Sequence, residues 1–278
     1  MNTIYKYCDG RGVEILRNLV LKVTPPNQFN DPFEFTPHIV CSNVRRTAKR
    51  LVKEKDAIRE LYWDSVRDGQ FKGNFRQFRK MHRQYRPDLV KLAETAIPAT
   101  LAALQARLLD QISTAFGVLC MSKKRNSLLM WGHYCDKHRG IVIGFDDSNP
   151  IFKEGPGLRP VKYVRARVQI DERARDQSVE WFKSKDDLIF AKNDEWAYEQ
   201  ELRQLFLLSS LTKRPLDDGT PGYFRPISPL AVLSVTLGAR CSPELANKVR
   251  LILQSQHFSN VRLDRAFLHE SDFALRFE

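Results

Sequence analysis

Short apolar runs toward both ends of the chain predict a body built mainly from β-strands. The strongest signal is Ile141–Phe145, which reads I-V-I-G-F between a glycine and an aspartate. Leu128–Tyr134 lies in the same strand-rich part, after a basic loop at Lys123–Arg125. We predict further strands at Thr3–Tyr7, Leu21–Thr24, Val118–Ser122, Val161–Val168, Leu230–Leu237, Val261–Leu268 and Phe273–Phe277.

Helical periodicity appears in short segments and in one long one. Short helices are predicted at Val13–Leu21, at Val179–Phe190 and at Pro243–Gln254, where Ser242 is a suitable N-cap. The long helical segment is Val44–Ala115, with a break at Pro98. These patterns predict an α+β fold in which residues 1–278 form a single catalytic domain and residues 43–115 form a helical insertion.

The charge of the chain is concentrated in this insertion. The 278 residues carry a formal net charge of +12, and 16 Lys/Arg against 7 Asp/Glu lie between Arg45 and Arg107. Such a balance favours a polyanionic partner: a nucleic acid, an acidic protein or a phosphate-bearing small molecule. The densest patch is Lys72–Arg86, and its candidate nucleic-acid-binding residues are Lys72, Arg76, Arg79, Lys80, Arg83 and Arg86.

Aromatic side chains interleave with these bases and allow two interpretations. They are able to stack on unpaired nucleobases. Alternatively, because Phe71, Phe75 and Phe78 recur every three or four residues, they form the buried stripe of a helix whose bases face water.

Cysteine usage and hydropathy indicate a cytoplasmic protein. The five cysteines are scattered, without a C-x-x-C pair or the Cys/His spacing of a zinc site, so we expect free thiols and no metal. No segment approaches eighteen consecutive apolar residues, and we expect no membrane association. The motifs of P-loop, Rossmann and α/β-hydrolase enzymes are absent from the sequence.

The stretch Lys192–Leu208 holds the most distinctive chemistry. If its second half is a strand, Glu199, Glu201 and Arg203 stand in a row on one face. Neighbouring carboxylates raise each other's pKa and a flanking guanidinium lowers it, which suits an acid/base site or one that stabilises a cation. The alternative is an amphipathic helix with a solvated i,i+4 pair of Glu199 and Arg203.

Two further clusters are candidates for ligand contact. Trp131, His133, Tyr134 and His138 precede the strongest strand, and a Tyr or Trp face is able to stack on a planar ligand. The Asx-Pro turn at Phe29–Glu34 provides Asn30 as a candidate pocket residue.

Four motifs resemble a bacterial family catalogued as domain of unknown function 2971. They are I-Y-K-Y at Ile4–Tyr7, F-N-D-P-F-E at Phe29–Glu34, the segment Leu129–Asp146, and W-A-Y-E-Q-E-L-R at Trp196–Arg203. That family looks like a distant relative of the ADP-ribosyltransferases, which carry a three-part signature on a split β-sheet. The resemblance implies such a core here, with Lys6 or Tyr7 in the first place, Tyr134 in the second, and Glu201 in the third, preceded by Glu199. Lys6 departs from the usual His or Arg and is a point charge, not a planar fork.

The resemblance implies an NAD-dependent ADP-ribosyltransferase in a toxin or phage-defence setting. Its catalytic residues would be Glu201, Glu199 and Tyr134, and its cofactor-binding residues Lys6, Tyr7, Trp131, His133, Arg203 and Asn30. Expected partners are a nucleic acid or protein acceptor and an antitoxin or defence-system protein.

Two other function classes remain open from the residues. One is a nuclease in which Glu199 and Glu201, with an acid such as Asp194, hold Mg²⁺. The other is a non-enzymatic nucleic-acid-binding protein that uses Lys72–Arg86 as its surface.

Overall fold

A computed structural model describes residues 2–171 and 186–278. The chain forms two compact units. The first comprises Met1–Phe35, Leu109–Arg167 and Asp187–Glu278, and the second comprises Thr36–Leu108 and Val168–Asp186. No helix among the described residues is both long enough and apolar enough to cross a bilayer.

The first unit is built on a mixed sheet of eight strands within the described part of the chain. β14 pairs with β13 in parallel, and the other neighbours are antiparallel. Across the sheet the strands are β15 (Leu275–Phe277), β14 (Arg262–Leu268), β13 (Val232–Leu237), β5 (Ile141–Asp146), β1 (Thr3–Cys8), β4 (Phe116–Ser122), β10 (Glu201–Leu207) and β6 (Arg159–Pro160).

Both faces of the central strands are covered, which explains the continuous apolar run of β5. Ile141, Ile143 and Phe145 point to one face and pack in the larger core cluster, while Val142 points to the other face and packs with Trp131. The larger cluster also includes residues of α1 (Val13–Asn18) and α7 (Pro243–Leu253). Ser242 caps α7 by accepting a hydrogen bond from the Leu245 amide, as its sequence predicts.

Smaller sheets complete the first unit. β2 (Val20–Val23), β12 (Pro221–Pro226) and β11 (Thr212–Pro215) form a three-stranded antiparallel sheet. β7 (Lys162–Val164) pairs in parallel with β9 (Ala191–Asn193), and α6 (Leu128–Tyr134) follows β4.

The second unit is mainly helical. It contains α2 (Val44–Leu51), α3 (Lys55–Arg67), α4 (Phe75–Gln84) and residues 86–108 of α5 (Arg86–Ala115), with β3 (His38–Val40) paired in parallel to β8 (Gln169–Asp171). A capping box of Asn74 and Gln77 fixes the start of α4.

The α+β class and most of the predicted elements are confirmed, with three local differences. Leu128–Tyr134 is a helix, because Ser127 caps it by accepting from the Met130 amide. The strand predicted at Val161–Val168 is limited to Lys162–Val164. α5 continues through Pro98, where a break was predicted. Residues 186–190 of the predicted helix Val179–Phe190 are helical, and the rest of that prediction lies outside the described residues.

Candidate functional site

The two glutamates of the Lys192–Leu208 stretch are brought together by a turn. Asp194–Glu199 is a 3-10 helix, Gln200 has a left-handed φ of 46°, and β10 begins at Glu201. The Ser122 hydroxyl donates to the Glu199 carbonyl at 2.5 Å and holds this turn against β4. The prediction that Glu199, Glu201 and Arg203 stand in a row on one strand face is therefore wrong for Glu199. This residue ends the 3-10 helix, whereas Glu201 and Arg203 lie on β10. The alternative of one amphipathic helix is also wrong, because both Glu199 and Arg203 are buried.

One buried ammonium group joins three carboxylates. The Nζ atom of Lys192 lies 2.7 Å from Glu199 Oε2, 3.2 Å from Glu201 Oε2 and 3.3 Å from Glu34 Oε1. No more than 6% of any of these four side chains is exposed. Burial at this depth is tolerated because each charge has an opposite partner.

Arg203 binds two of these carboxylates, those of Glu201 and Glu34. Its guanidinium donates to Glu201 Oε1 at 2.8 Å and Oε2 at 3.0 Å, and it also contacts Glu34 Oε2. A further bond goes to the Ile189 carbonyl at 2.6 Å. Phe35 flanks the guanidinium, with its ring centroid 4.9 Å from Arg203 Cζ. The fork geometry of arginine fixes the orientation of both carboxylates.

These contacts and burial shift the pKa values of Glu201 and Glu34 in opposite directions. Burial raises the pKa of Glu201, but Arg203 and Lys192 outweigh it and lower that pKa to about 2. Burial also raises the pKa of Glu34, and here Arg203 and Lys192 offset it only in part, so the pKa stays above its ordinary value. Burial lowers the pKa of Lys192, but attraction to Glu201, Glu34 and Glu199 prevails, and the pKa is raised. Glu201 is therefore an anion and Lys192 a cation at neutral pH.

This charged cluster forms one wall of a cavity of about 440 Å³. The cavity lies where β1 and β4 separate: their registered pairing is Tyr5 with Ser122, whereas β1 and β5 share six registered pairs. Its volume is in the range of small-molecule sites. The lining residues are Tyr5, Lys6, Tyr7, Thr24, Gln28, Phe29, Asn30, Glu34, Val118, Cys120, Met121, Ser122, Met130, His133, Tyr134, Lys192, Glu199 and Glu201.

Tyr134, the last residue of helix α6, lies beside the Glu199 carboxylate. The Tyr134 hydroxyl donates to Glu199 Oε1 at 2.7 Å. Burial and the neighbouring Glu199 carboxylate both raise the pKa of Tyr134, so the phenol stays protonated and keeps this bond. His133 lies beside it, in ring contact with Tyr134, Trp196 and Tyr198.

Most of the predicted site residues converge on this cavity. Lys6, Tyr7, Asn30, His133, Tyr134, Glu199 and Glu201 all line it. Lys6 Nζ donates to the Cys120 carbonyl at 2.9 Å, and the Tyr7 hydroxyl donates to the Lys124 carbonyl at 2.9 Å.

Trp131 and Arg203 are fully buried and do not line the cavity. The Trp131 indole donates to the Arg125 carbonyl at 2.9 Å and packs in the core, so it supports α6. His138 stacks on Trp131 instead of facing the cavity. Arg203 acts through Glu201 and Glu34.

Glu34 and Lys192 were not among the predicted site residues. Each stood at the edge of a motif: Glu34 ends F-N-D-P-F-E and Lys192 begins the stretch with the two glutamates. A charged residue at the end of an apolar segment is an ordinary surface pattern, so the sequence carried no stronger signal for either.

The basic residues of α4 occupy the second unit. Lys72, Arg76, Arg79, Lys80 and Arg83 are exposed, and Arg86 is half-buried at the start of α5. Phe71, Phe75 and Phe78 form edge-to-face contacts with Tyr62. Phe78 is buried, as the interpretation of a core stripe predicts, whereas Phe71 and Phe75 are half-buried.

A comparison with family models gives one match in the site region. A model described as "Protein of unknown function (DUF2971)" matches residues 130–204, less than half of the chain. The match supports the resemblance to this family. It contains Tyr134, Lys192, Glu199, Glu201 and Arg203. No curated protein and no solved structure matches the chain.

Proposed function

We propose that the cavity binds NAD and that the protein is an ADP-ribosyltransferase. The observation that carries this proposal is the convergence of Lys6, Tyr134 and the pair Glu199 and Glu201 on one cavity, from three separate parts of the sequence. The separation of β1 and β4 at this cavity supports a split-sheet core.

The charge of the site suits a cation-like transition state. Three carboxylates face the two cations Lys192 and Arg203, so the cluster carries one excess negative charge when all five groups are ionised. Breaking the nicotinamide–ribose bond develops positive charge on the ribose, and a fixed carboxylate stabilises it without reorganisation. Glu201, held ionised by Arg203 and Lys192, accepts a hydrogen bond from a ribose hydroxyl.

In the proposed reaction, Glu199, Tyr134 and Lys6 act on the acceptor, the nicotinamide and the diphosphate. The C1′–N1 bond breaks and its electron pair leaves with nicotinamide. An acceptor O–H or N–H then adds to C1′, and Glu199 takes the proton and passes it to water. The ring of Tyr134 stacks on nicotinamide, and Lys6 attracts the diphosphate. The acceptor is a nucleic acid or a protein, and the setting is a toxin or defence system with its own partner protein.

The nuclease alternative is less favoured by this geometry. The Lys192 ammonium occupies the centre of the three carboxylates, where a magnesium ion would have to sit. Among residues 2–171 and 186–278, no group of His, Cys, Asp and Glu has the arrangement of a metal site.

Nicotinamide release from NAD tests the proposal. We expect E201Q to lower the rate at least a hundredfold, because the amide cannot stabilise the ribose cation. E195Q is the matched control, since Glu195 is exposed in the same 3-10 segment and does not line the cavity. Thermal unfolding verifies that E201Q is folded. Turnover by folded E201Q equal to that of E195Q would refute the proposed role of Glu201.

A further inference from the structure

The helical second unit contains a cavity of its own. Its volume is about 300 Å³, and it is bordered by the α2–α3 connection, by α3 and α4, and by the first residue of α5. Ile58 and Phe75 provide its apolar wall. Its cationic lining residues are Lys53, Lys55, Arg59, Arg79, Arg83 and Arg86.

We propose that this cavity, here called the basic pocket, binds phosphate groups of a nucleic-acid backbone. The pocket has six cations and no carboxylate among its lining residues. Concentrated like charges repel one another, so such a pocket is stabilised when an anion fills it. The inference concerns the second unit alone and does not depend on NAD chemistry at the other cavity.

Most cations of the pocket have no carboxylate partner among the described residues. Among the described residues, no carboxylate forms an ion pair with Lys53, Lys55, Arg79 or Arg83; the acid beside Arg59 is Asp56, at 3.7 Å. The Nε atom of Arg86 is buried and has no hydrogen-bond partner within that part of the chain. A bound phosphate would supply oxygens that accept charge-assisted hydrogen bonds from the guanidinium and ammonium groups of the pocket.

The amount and spread of charge favour a polymer over a single phosphate ion. Six cations exceed what one phosphate neutralises, and Lys72, Arg76 and Lys80 add exposed positive charge nearby in sequence. A backbone presents successive phosphates that can fill the pocket and continue past it. The Phe75 ring, half-buried in the wall with Arg79 Cζ 5.9 Å from its centroid, offers a face for a base.

The pocket divides the six residues that the sequence singled out. Arg79, Arg83 and Arg86 line it, whereas Lys72, Arg76 and Lys80 do not. α4 therefore offers two exposed i,i+4 pairs of equal charge, one inside the pocket (Arg79 and Arg83) and one outside it (Arg76 and Lys80).

This division gives a charge-matched experiment on the full chain. Binding of fluorescein-labelled oligouridylate RNA, and of DNA of equivalent length, is measured by fluorescence anisotropy at several salt concentrations. R79Q/R83Q should weaken binding at least tenfold at low salt and lower the slope of log K against log salt by about 1.4, at about 0.7 per lost single-strand phosphate contact. R76Q/K80Q, with the same loss of charge, should weaken binding less than threefold. All four positions are exposed, so both variants should fold, and melting curves verify it.

Each result decides for or against the pocket. Equal losses of nucleic-acid affinity in the two variants would mean that the whole positive surface attracts the polymer, and this result would refute the basic pocket as a binding site. Absence of RNA and DNA binding would also overturn it, and binding of tripolyphosphate in that case would assign the pocket to a small oligophosphate. Nicotinamide release by E201Q tests the NAD proposal, and nucleic-acid binding by R79Q/R83Q tests this one, so a failure of either proposal is distinguishable from a failure of the other.

Discussion

Replacing Lys192 by methionine removes the central cation of the buried cluster and nearly preserves side-chain length. Glu34, Glu199 and Glu201 then share one remaining cation, Arg203, and all three stay almost fully buried. The Oε2 atom of Glu199 loses its 2.7 Å contact outright. The cluster changes from one excess negative charge to two when its carboxylates are ionised.

The expected loss of stability follows from this imbalance. Removing one partner of a buried ion pair costs about 3–5 kcal/mol, because the remaining charge is left uncompensated. For a unit of this size, each kcal/mol lowers the melting temperature by about 2–4 °C, so K192M should melt roughly 6–20 °C below the wild type.

Urea unfolding followed by circular dichroism measures this difference, and K162M is the matched control. Lys162 forms an ion pair of 2.8 Å with Asp187, but its side chain is 61% exposed, and such pairs contribute about 0–1 kcal/mol. In the double variant K192M/E199Q, one carboxylate is neutralised and part of the loss should be recovered. A loss in K192M no larger than that in K162M would refute the account of Lys192 as the central counter-ion.

Two further predictions concern acid stability and backbone packing. Because the folded pKa of Glu201 is about 2 against an ordinary 4.5, this carboxylate stabilises the fold above about pH 4.5, and the contribution fades as the pH falls toward about 2. The gap in unfolding free energy between wild type and E201Q should therefore be widest near neutral pH and shrink on acidification; a gap independent of pH would contradict the shift. In urea unfolding, G140A should cost about 1–3 kcal/mol, because the added Cβ would lie 2.0 Å from the Cys8 carbonyl oxygen. The control G132A, in α6 with no atom within 4 Å of its Cβ, should gain about 0.5–1 kcal/mol, and equal effects of the two would argue against this packing.

Local patterns were sufficient to predict most strands and helices. Ile141–Phe145 is apolar throughout, and Pro243–Gln254 begins with a cap and a proline, so neighbouring residues alone specify each element. The turn at Gln200 was not predictable in this way. Glutamine is not a residue that signals a left-handed backbone. The alternation of side chains from Glu199 onward therefore predicted a strand that starts at Glu199, whereas β10 starts two residues later, at Glu201.

The part of the site that is close together in the sequence was predicted, and the part that the fold brings together was not. Glu199, Glu201 and Arg203 are neighbours in the sequence, so their grouping is visible there. Glu34 reaches the same cluster only because the fold brings it within ion-pair distance of Lys192 and Arg203. Trp131 illustrates the reverse error, since an aromatic residue beside Tyr134 looks equally suited to a ligand but packs in the core. Burial and long-range contact are properties of the fold, and one sequence does not display them.

ADP-ribosyl transfer is measured directly by following label from NAD that carries ³²P in its adenylate phosphate. Purified protein is incubated with labelled NAD and with RNA, DNA or protein extract, beside E201Q and the exposed-site control E195Q. Wild type and E195Q should place label on one acceptor class, and folded E201Q should place none. Label transfer by E201Q at the wild-type rate, or no transfer and no nicotinamide release by the wild type with any acceptor, would contradict the proposal.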